Sequence, residues 1–148
     1  MFKPRIKVMT NFLEFFLGKN IVGITLFPFG IYLKLSYLTR QKTINHESIH
    51  WQQQLEMLVV GAIMSALTAI ILMSFGVFSL WLLTLLVFPL LFFYLWYVIE
   101  WFFRIFINGN KAYVSLSFER EAYDNDDNLD YLKTRKRFAW LKYMRKKE

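Results

Sequence analysis

Residues 57–99 read MLVVGAIMSALTAIILMSFGVFSLWLLTLLVFPLLFFYLWYVI, 43 residues without one charged side chain. As a single helix rising about 1.5 Å per residue, this run would extend roughly 65 Å, about twice the ~30 Å hydrocarbon core of a bilayer. It therefore divides most simply into two crossings. The first is expected over Leu58–Phe75 and the second over Ser79–Ile99, with a turn near Gly76 and a kink at Pro89. Gly61, Ala62, Ser65, Ala66 and Ala69 give the first crossing a small-residue face that a second helix can approach closely. Tyr94, Trp96, Tyr97 and Trp101 would form an aromatic belt where the second crossing meets the headgroups. A soluble globular fold is not expected, because removing the run leaves only about a hundred residues to bury it.

Outside the run the chain is strongly basic, with 18 Lys+Arg against 11 Asp+Glu in 148 residues. A net charge of +7 can mean nucleic acid, but every basic residue flanks the apolar run, as in a membrane protein, and no nucleic-acid partner is expected. Lys34, Arg40 and Lys42 precede the run; Arg104, Lys111 and a C-terminal basic cluster lie beyond it; the turn carries no charge. Positive-inside reasoning then puts both termini in the cytoplasm. With no cysteine, thiol nucleophiles, disulfides and thiolate metal sites are excluded. The N-terminal MFKPRIKVMTNFLEFFLG is interrupted by Asn11 and Glu14 and has no small-residue cleavage site, so it is expected to be retained.

Three shorter segments complete the outline. Residues 21–33, IVGITLFPFGIYL, are too short for a span and are broken by Gly23, Pro28 and Gly30, which predicts a hairpin of short strands. Asn11–Gly18 reads as an interfacial helix with Phe12, Phe15 and Phe16 toward lipid. The tail from Leu129 to Lys147 sets Leu129, Leu132, Trp140, Leu141 and Met144 among eight basic residues, the pattern of a basic amphipathic helix on anionic lipid.

Immediately before the first crossing stands TINHESIHWQQQLEM, residues 43–57, and within it His46-Glu47-Ser48-Ile49-His50 is an HExxH motif. On a helix, imidazoles at i and i+4 share one face and can bind one Zn²⁺, while the Glu between them reaches the water on the ion. Two neutral nitrogens hold the metal, the metal lowers the water's pKa toward ~7, and the carboxylate moves its proton to the leaving amine. From the chain's own content of two His and seven Glu, the motif would arise by chance roughly once in a thousand such sequences. Thr43 or Asn45 can cap the helix start, and neither Gly nor Pro interrupts the chain from there to Val60.

A catalytic zinc needs a third protein ligand and an open position. Both histidines are already used and there is no cysteine, so that ligand is a carboxylate. Glu14, Glu56, Glu100, Glu119, Glu121, the aspartates between 124 and 130, and Glu148 are available. Glu56 lies on the same rigid helix and moves away from the ion, whereas Glu100 has Arg104 at i+4 and reads as a helix ion pair. The segment SFEREAYDND, residues 117–126, is left.

HExxH at the cytoplasmic start of a membrane helix, with ExxA beyond further spans, resembles the membrane-embedded gluzincins: the CAAX prenyl endopeptidases, the heat-shock membrane proteases and the peptidase domains of antibiotic-sensing receptors. In the first two the third ligand is the Glu of an ExxAD sequence. Glu119-Arg120-Glu121-Ala122 matches ExxA, so the resemblance implies Glu119 as ligand, with Glu121 as runner-up. The family's Asp, which orients a histidine ligand, falls here at Tyr123, and Asp124 is the neighbour that can replace it. The resemblance also implies an edge strand beside the metal that holds substrate extended, for which Ile31, Tyr32 and Leu33 are the candidates. As oxyanion stabiliser, Tyr113 or Tyr123 has the right chemistry.

The expected architecture is a mainly α, integral-membrane chain of one domain. An N-terminal segment, 1–42, precedes an HExxH helix continuing into the first span, 43–75; a second span, 79–103, completes a transmembrane hairpin; residues 104–148 return the third ligand and the basic tail. Two crossings bring Glu119 back to the compartment of His46, and His50 lies about 10 Å along the helix from the uncharged run, near headgroup depth. The expected function is a membrane-bound zinc metallopeptidase acting on a membrane-proximal peptide or membrane protein, in a bacterial inner membrane with its site cytoplasmic, as monomer or oligomer. The alternatives are a non-catalytic membrane protein with a structural or relic metal site, and a zinc amidase acting on a lipid or cell-wall precursor.

Overall fold

The computed structural model describes residues 4–18 and 20–145; Glu148 and the last two lysines of the basic tail, Lys146 and Lys147, lie outside the described residues. The fold is mainly helical with one small sheet. In chain order the elements are β1 (Ile6–Val8), α1 (Asn11–Leu17), β2 (Gly23–Leu26), β3 (Gly30–Leu33), α2 (Gln41–Ser74), α3 (Phe88–Asn108), α4 (Ser117–Asn125), α5 (Tyr131–Thr134) and α6 (Leu141–Arg145). They divide into two compact units, Met1–Gln52 with Ser117–Glu148, and Gln53–Leu116.

In the first unit the expected hairpin is present: β2 pairs antiparallel with β3, Ile24 opposite Tyr32 and Leu26 opposite Gly30. The sheet has a third strand that pattern reading missed, since β1 pairs parallel with β3, Ile6 opposite Ile31 and Val8 opposite Leu33. The order β1-β3-β2 makes β3 the central strand. This corrects the assignment of Ile31, Tyr32 and Leu33 as a substrate strand, because both hydrogen-bonding edges of their backbone are already occupied. The alternation of β3 results from that position: Ile31 and Leu33 are fully buried, and Tyr32 between them is half-buried. With them in the core of the unit stand Met9, Ile49, Trp51, Phe118, Ala122, Ala139 and Trp140.

Helix α1 is capped by the Thr10 hydroxyl, which accepts from the Leu13 N–H, and leaves Phe12, Phe15 and Phe16 exposed. Asn45 is not the cap of α2. It lies one turn inside the helix, and its side-chain amide donates to the backbone carbonyls of Asn125, Asp126 and Asn128. The tail is also not one amphipathic helix. α5 and α6 are single short turns separated by residues 135–140, where Arg135 pairs with Glu121 and the Trp140 ring lies 4.7 Å from that of Phe118. Two residues that a lipid-facing helix would have spread along its surface are taken into the unit's interior, and that breaks the helix.

In the second unit α2 ends at Ser74, and the chain turns at Phe75 and Gly76, with Gly76 at φ +75°. Residues Leu80–Leu86 form a 3-10 helix, and α3 begins only at Phe88, so the second long helix starts nine residues later than expected. Pro89 is the reason: it occupies the first turn of α3, where a missing N–H costs nothing, and it starts this helix rather than kinking it. Tyr94, Trp96 and Tyr97 consequently lie within α3 rather than at its end. The small-residue face is used at Gly61, whose absent Cβ would sit 2.9 Å from Pro89 Cα and Phe92 Cβ.

Two helices are long and apolar enough to cross a membrane, Gln41–Ser74 and Phe88–Lys111, and only 17% and 11% of their most apolar stretches are buried. Their polarity is inverted relative to a soluble core. In α3 the Glu100 and Arg104 side chains form an i,i+4 pair at 3.2 Å and are 10% and 16% exposed, while Trp101, Phe102, Phe103, Phe106 and Ile107 around them are open.

Candidate metal centre

Both imidazoles come from one face of α2, and the carboxylate comes from the first turn of α4. Nothing between Gln41 and Ser74 breaks the backbone ladder, so His46 and His50 are set one turn apart, as their spacing requires. His50 Nε2 stands 3.1 Å from His46 Nε2. The Glu119 carboxylate closes the triangle, with Oε1 3.3 Å from His50 Nε2 and Oε2 3.5 Å from His46 Nε2. A tetrahedral ion holding N and O ligands at about 2.0–2.1 Å separates them by roughly 3.3 Å. One ligand atom from each of His46, His50 and Glu119 lies within 4.8 Å of the others, and the three residues could hold a metal ion.

Glu119 is buried. Burial works to raise its carboxyl, but the charge of His50 and hydrogen bonds from His46 and His50 outweigh it and hold the group well below the ordinary carboxylate range. The ligand is thus kept in the charged form that metal binding requires.

Around these donors the chain supplies supports that its sequence did not advertise. Asp126 Oδ2 lies 3.5 Å from His46 Nδ1, and Asp126 Oδ1 lies 3.3 Å from Lys42 Nζ. A carboxylate on Nδ1 selects the tautomer whose Nε2 lone pair faces the metal position. The three carbonyls accepting from Asn45 fasten the loop that carries Asp126 to the first turns of α2. Asp126, and not Asp124, is the carboxylate beside His46 Nδ1; Asp124 is exposed. The Asp-rich run was visible, but helical spacing could not single out a residue one position beyond the end of α4.

Glu47 is buried against β2. The Thr25 hydroxyl lies 2.7 Å from its Oε2 and 2.9 Å from its backbone carbonyl. A Cβ on Gly23 would fall 2.6 Å from Leu33 Cδ2 and 2.9 Å from Glu47 Oε1, so a larger residue there would have to push these side chains aside. Glu121 does not join the metal triad. Arg135 donates to both its oxygens, Nε to Oε1 at 2.5 Å and Nη2 to Oε2 at 3.1 Å, and the Tyr131 hydroxyl donates to Oε1 at 2.9 Å. Of the two tyrosines, Tyr123 has its ring centroid 4.7 Å from that of His46, whereas Tyr113 belongs to the other unit and its ring lies 6.5 Å from Tyr97.

Compared with family models, with curated proteins and with solved structures, the chain matches none.

Proposed function

We propose that the chain is a membrane-bound zinc metallopeptidase that hydrolyses a peptide bond close to the membrane surface. The observation that carries this reading is the convergence of His46 Nε2, His50 Nε2 and the Glu119 carboxylate at 3.1–3.5 Å, with Glu47 between the two histidines in sequence. Two imidazoles and a carboxylate are a donor set that suits Zn²⁺, and three protein ligands would leave a fourth position for water. When bound, the ion would activate a water as nucleophile and polarise the scissile carbonyl.

The chain's own residues supply the rest. Glu47 takes the proton of the attacking water and returns it to the leaving nitrogen, with Thr25 holding its carboxylate toward β2. Asp126 keeps His46 in the binding tautomer. With β3 paired on both sides, substrate addition falls to β2, the edge strand whose Gly23 and Thr25 border Glu47. Tyr123, ring against His46, is the stronger oxyanion candidate of the two tyrosines.

The membrane reading is supported by the two long apolar helices and by their outward apolar faces. The membrane-embedded gluzincin likeness of HExxH and ExxA points the same way. In detergent-purified protein, Glu47→Gln is expected to retain stoichiometric zinc and to lose cleavage of a peptide library read by mass spectrometry. Wild-type protein that binds zinc and cleaves no peptide, or a Glu47→Gln protein as active as wild type, would contradict the assignment.

A further inference from the structure

We propose that the C-terminal segment, Tyr131–Arg145, is a clasp that fixes the rotation of α4 about its axis, with Arg135 as positioning residue, so that Glu119 and not Glu121 is presented to the imidazoles. The inference rests on the metal-site reading above. Glu119 and Glu121 lie two residues apart, about 200° around a helix, and both are fully buried. α4 has nine residues, short of the ~12–15 at which a helix persists alone, so its rotation is set by what packs on it.

The tail grips one stripe of α4 at three points, spaced i, i+3 and i+7. Phe118 meets the Trp140 ring at 4.7 Å. Glu121 receives the Arg135 fork and the Tyr131 hydroxyl, with the Glu121 and Arg135 side chains 0% and 4% exposed. Asn125 donates to the Tyr143 hydroxyl at 3.0 Å. A bidentate guanidinium fixes both the place and the plane of a carboxylate, which a point charge does not. Glu121 is thereby held on the tail side, and Glu119 is turned to the opposite side, where His46 and His50 stand.

The test is a double-mutant cycle on the full-length protein in detergent, with zinc affinity measured by chelator competition. Arg135→Ala in the wild-type background is expected to weaken zinc binding about tenfold or more, in line with the loss of other residues that orient a ligand. In a Glu119→Gln background, where the positioned ligand is gone, the same substitution is expected to add no further loss. Arg135→Lys keeps the buried charge without the fork; it is expected to give a smaller loss with the same dependence on Glu119, and it carries the cycle if Arg135→Ala does not fold. Equal losses in both backgrounds would mean general loosening and overturn the clasp, as would unchanged affinity in a folded Arg135→Ala protein. Wild-type protein without zinc would instead overturn the metal reading itself.

Discussion

Glu119 and Glu121 are the same side chain on the same short helix, both buried, and their surroundings give them different chemistry. Glu119 faces two imidazoles and Glu121 a guanidinium. The ExxA match alone favours the first, but the reason for the choice lies in Arg135, fourteen residues downstream of Glu121, which no local pattern connects to it. Glu121→Ala is therefore expected to destabilise the fold by about 3–5 kcal/mol, read by chemical denaturation, because a buried Arg135 is left unpaired. Replacing both partners by apolar residues, Glu121→Leu with Arg135→Met, is expected to recover most of that loss. A carboxyl held below its unfolded value, as Glu119 is, stabilises the fold above the ordinary carboxylate range, and that contribution is lost progressively as pH falls from the ordinary range to the depressed value. Asp126→Asn removes the carboxylate from His46 Nδ1 and is expected to cost about 10–100-fold in zinc affinity while helical circular dichroism is unchanged.

At the scale of elements, the sequence is most legible where periodicity is strong and chain separation is short. The HExxH helix and its continuation, the hairpin broken by Pro28 and Gly30, and α1 behind Thr10 all show in the local pattern. β1 does not, because three residues pairing across more than twenty positions leave no local trace. The tail misleads for a related reason: its spacing of apolar and basic residues is truly amphipathic, but tertiary partners for Arg135 and Trp140 outweigh it. Pro89 is visible but ambiguous, since a proline both interrupts and initiates helices and only the 3-10 segment before it decides which. The contact of β2 with Glu47 gives a test of the hairpin. Gly23→Ala places a Cβ against Glu47 Oε1 and Leu33 Cδ2 and is expected to lower kcat about 100-fold, because it shifts the carboxylate proposed as general base. Zinc content of the same variant should be unchanged.

Over the whole molecule the 43-residue uncharged run does most of the deciding, and two helices of sufficient length and apolarity do form across it, although their limits differ from those expected. What it could not give is the pairing of polar groups inside: Glu100 with Arg104 is legible from i,i+4 spacing, whereas Asp126 with His46 and Glu121 with Arg135 require the chain to return. Because the chain has no cysteine, single introduced cysteines report topology cleanly. Cysteines at Val77 and Asp127 are expected to label from opposite sides of sealed vesicles. The most direct test of the central claim is zinc X-ray absorption on the purified protein together with metal content. About one zinc per chain, with roughly four N/O ligands near 2.0–2.1 Å, two of them imidazoles, is the expected result, and Glu119→Gln should change that spectrum. A chain that binds no stoichiometric zinc, or a spectrum that Glu119→Gln leaves unaltered, would contradict the account.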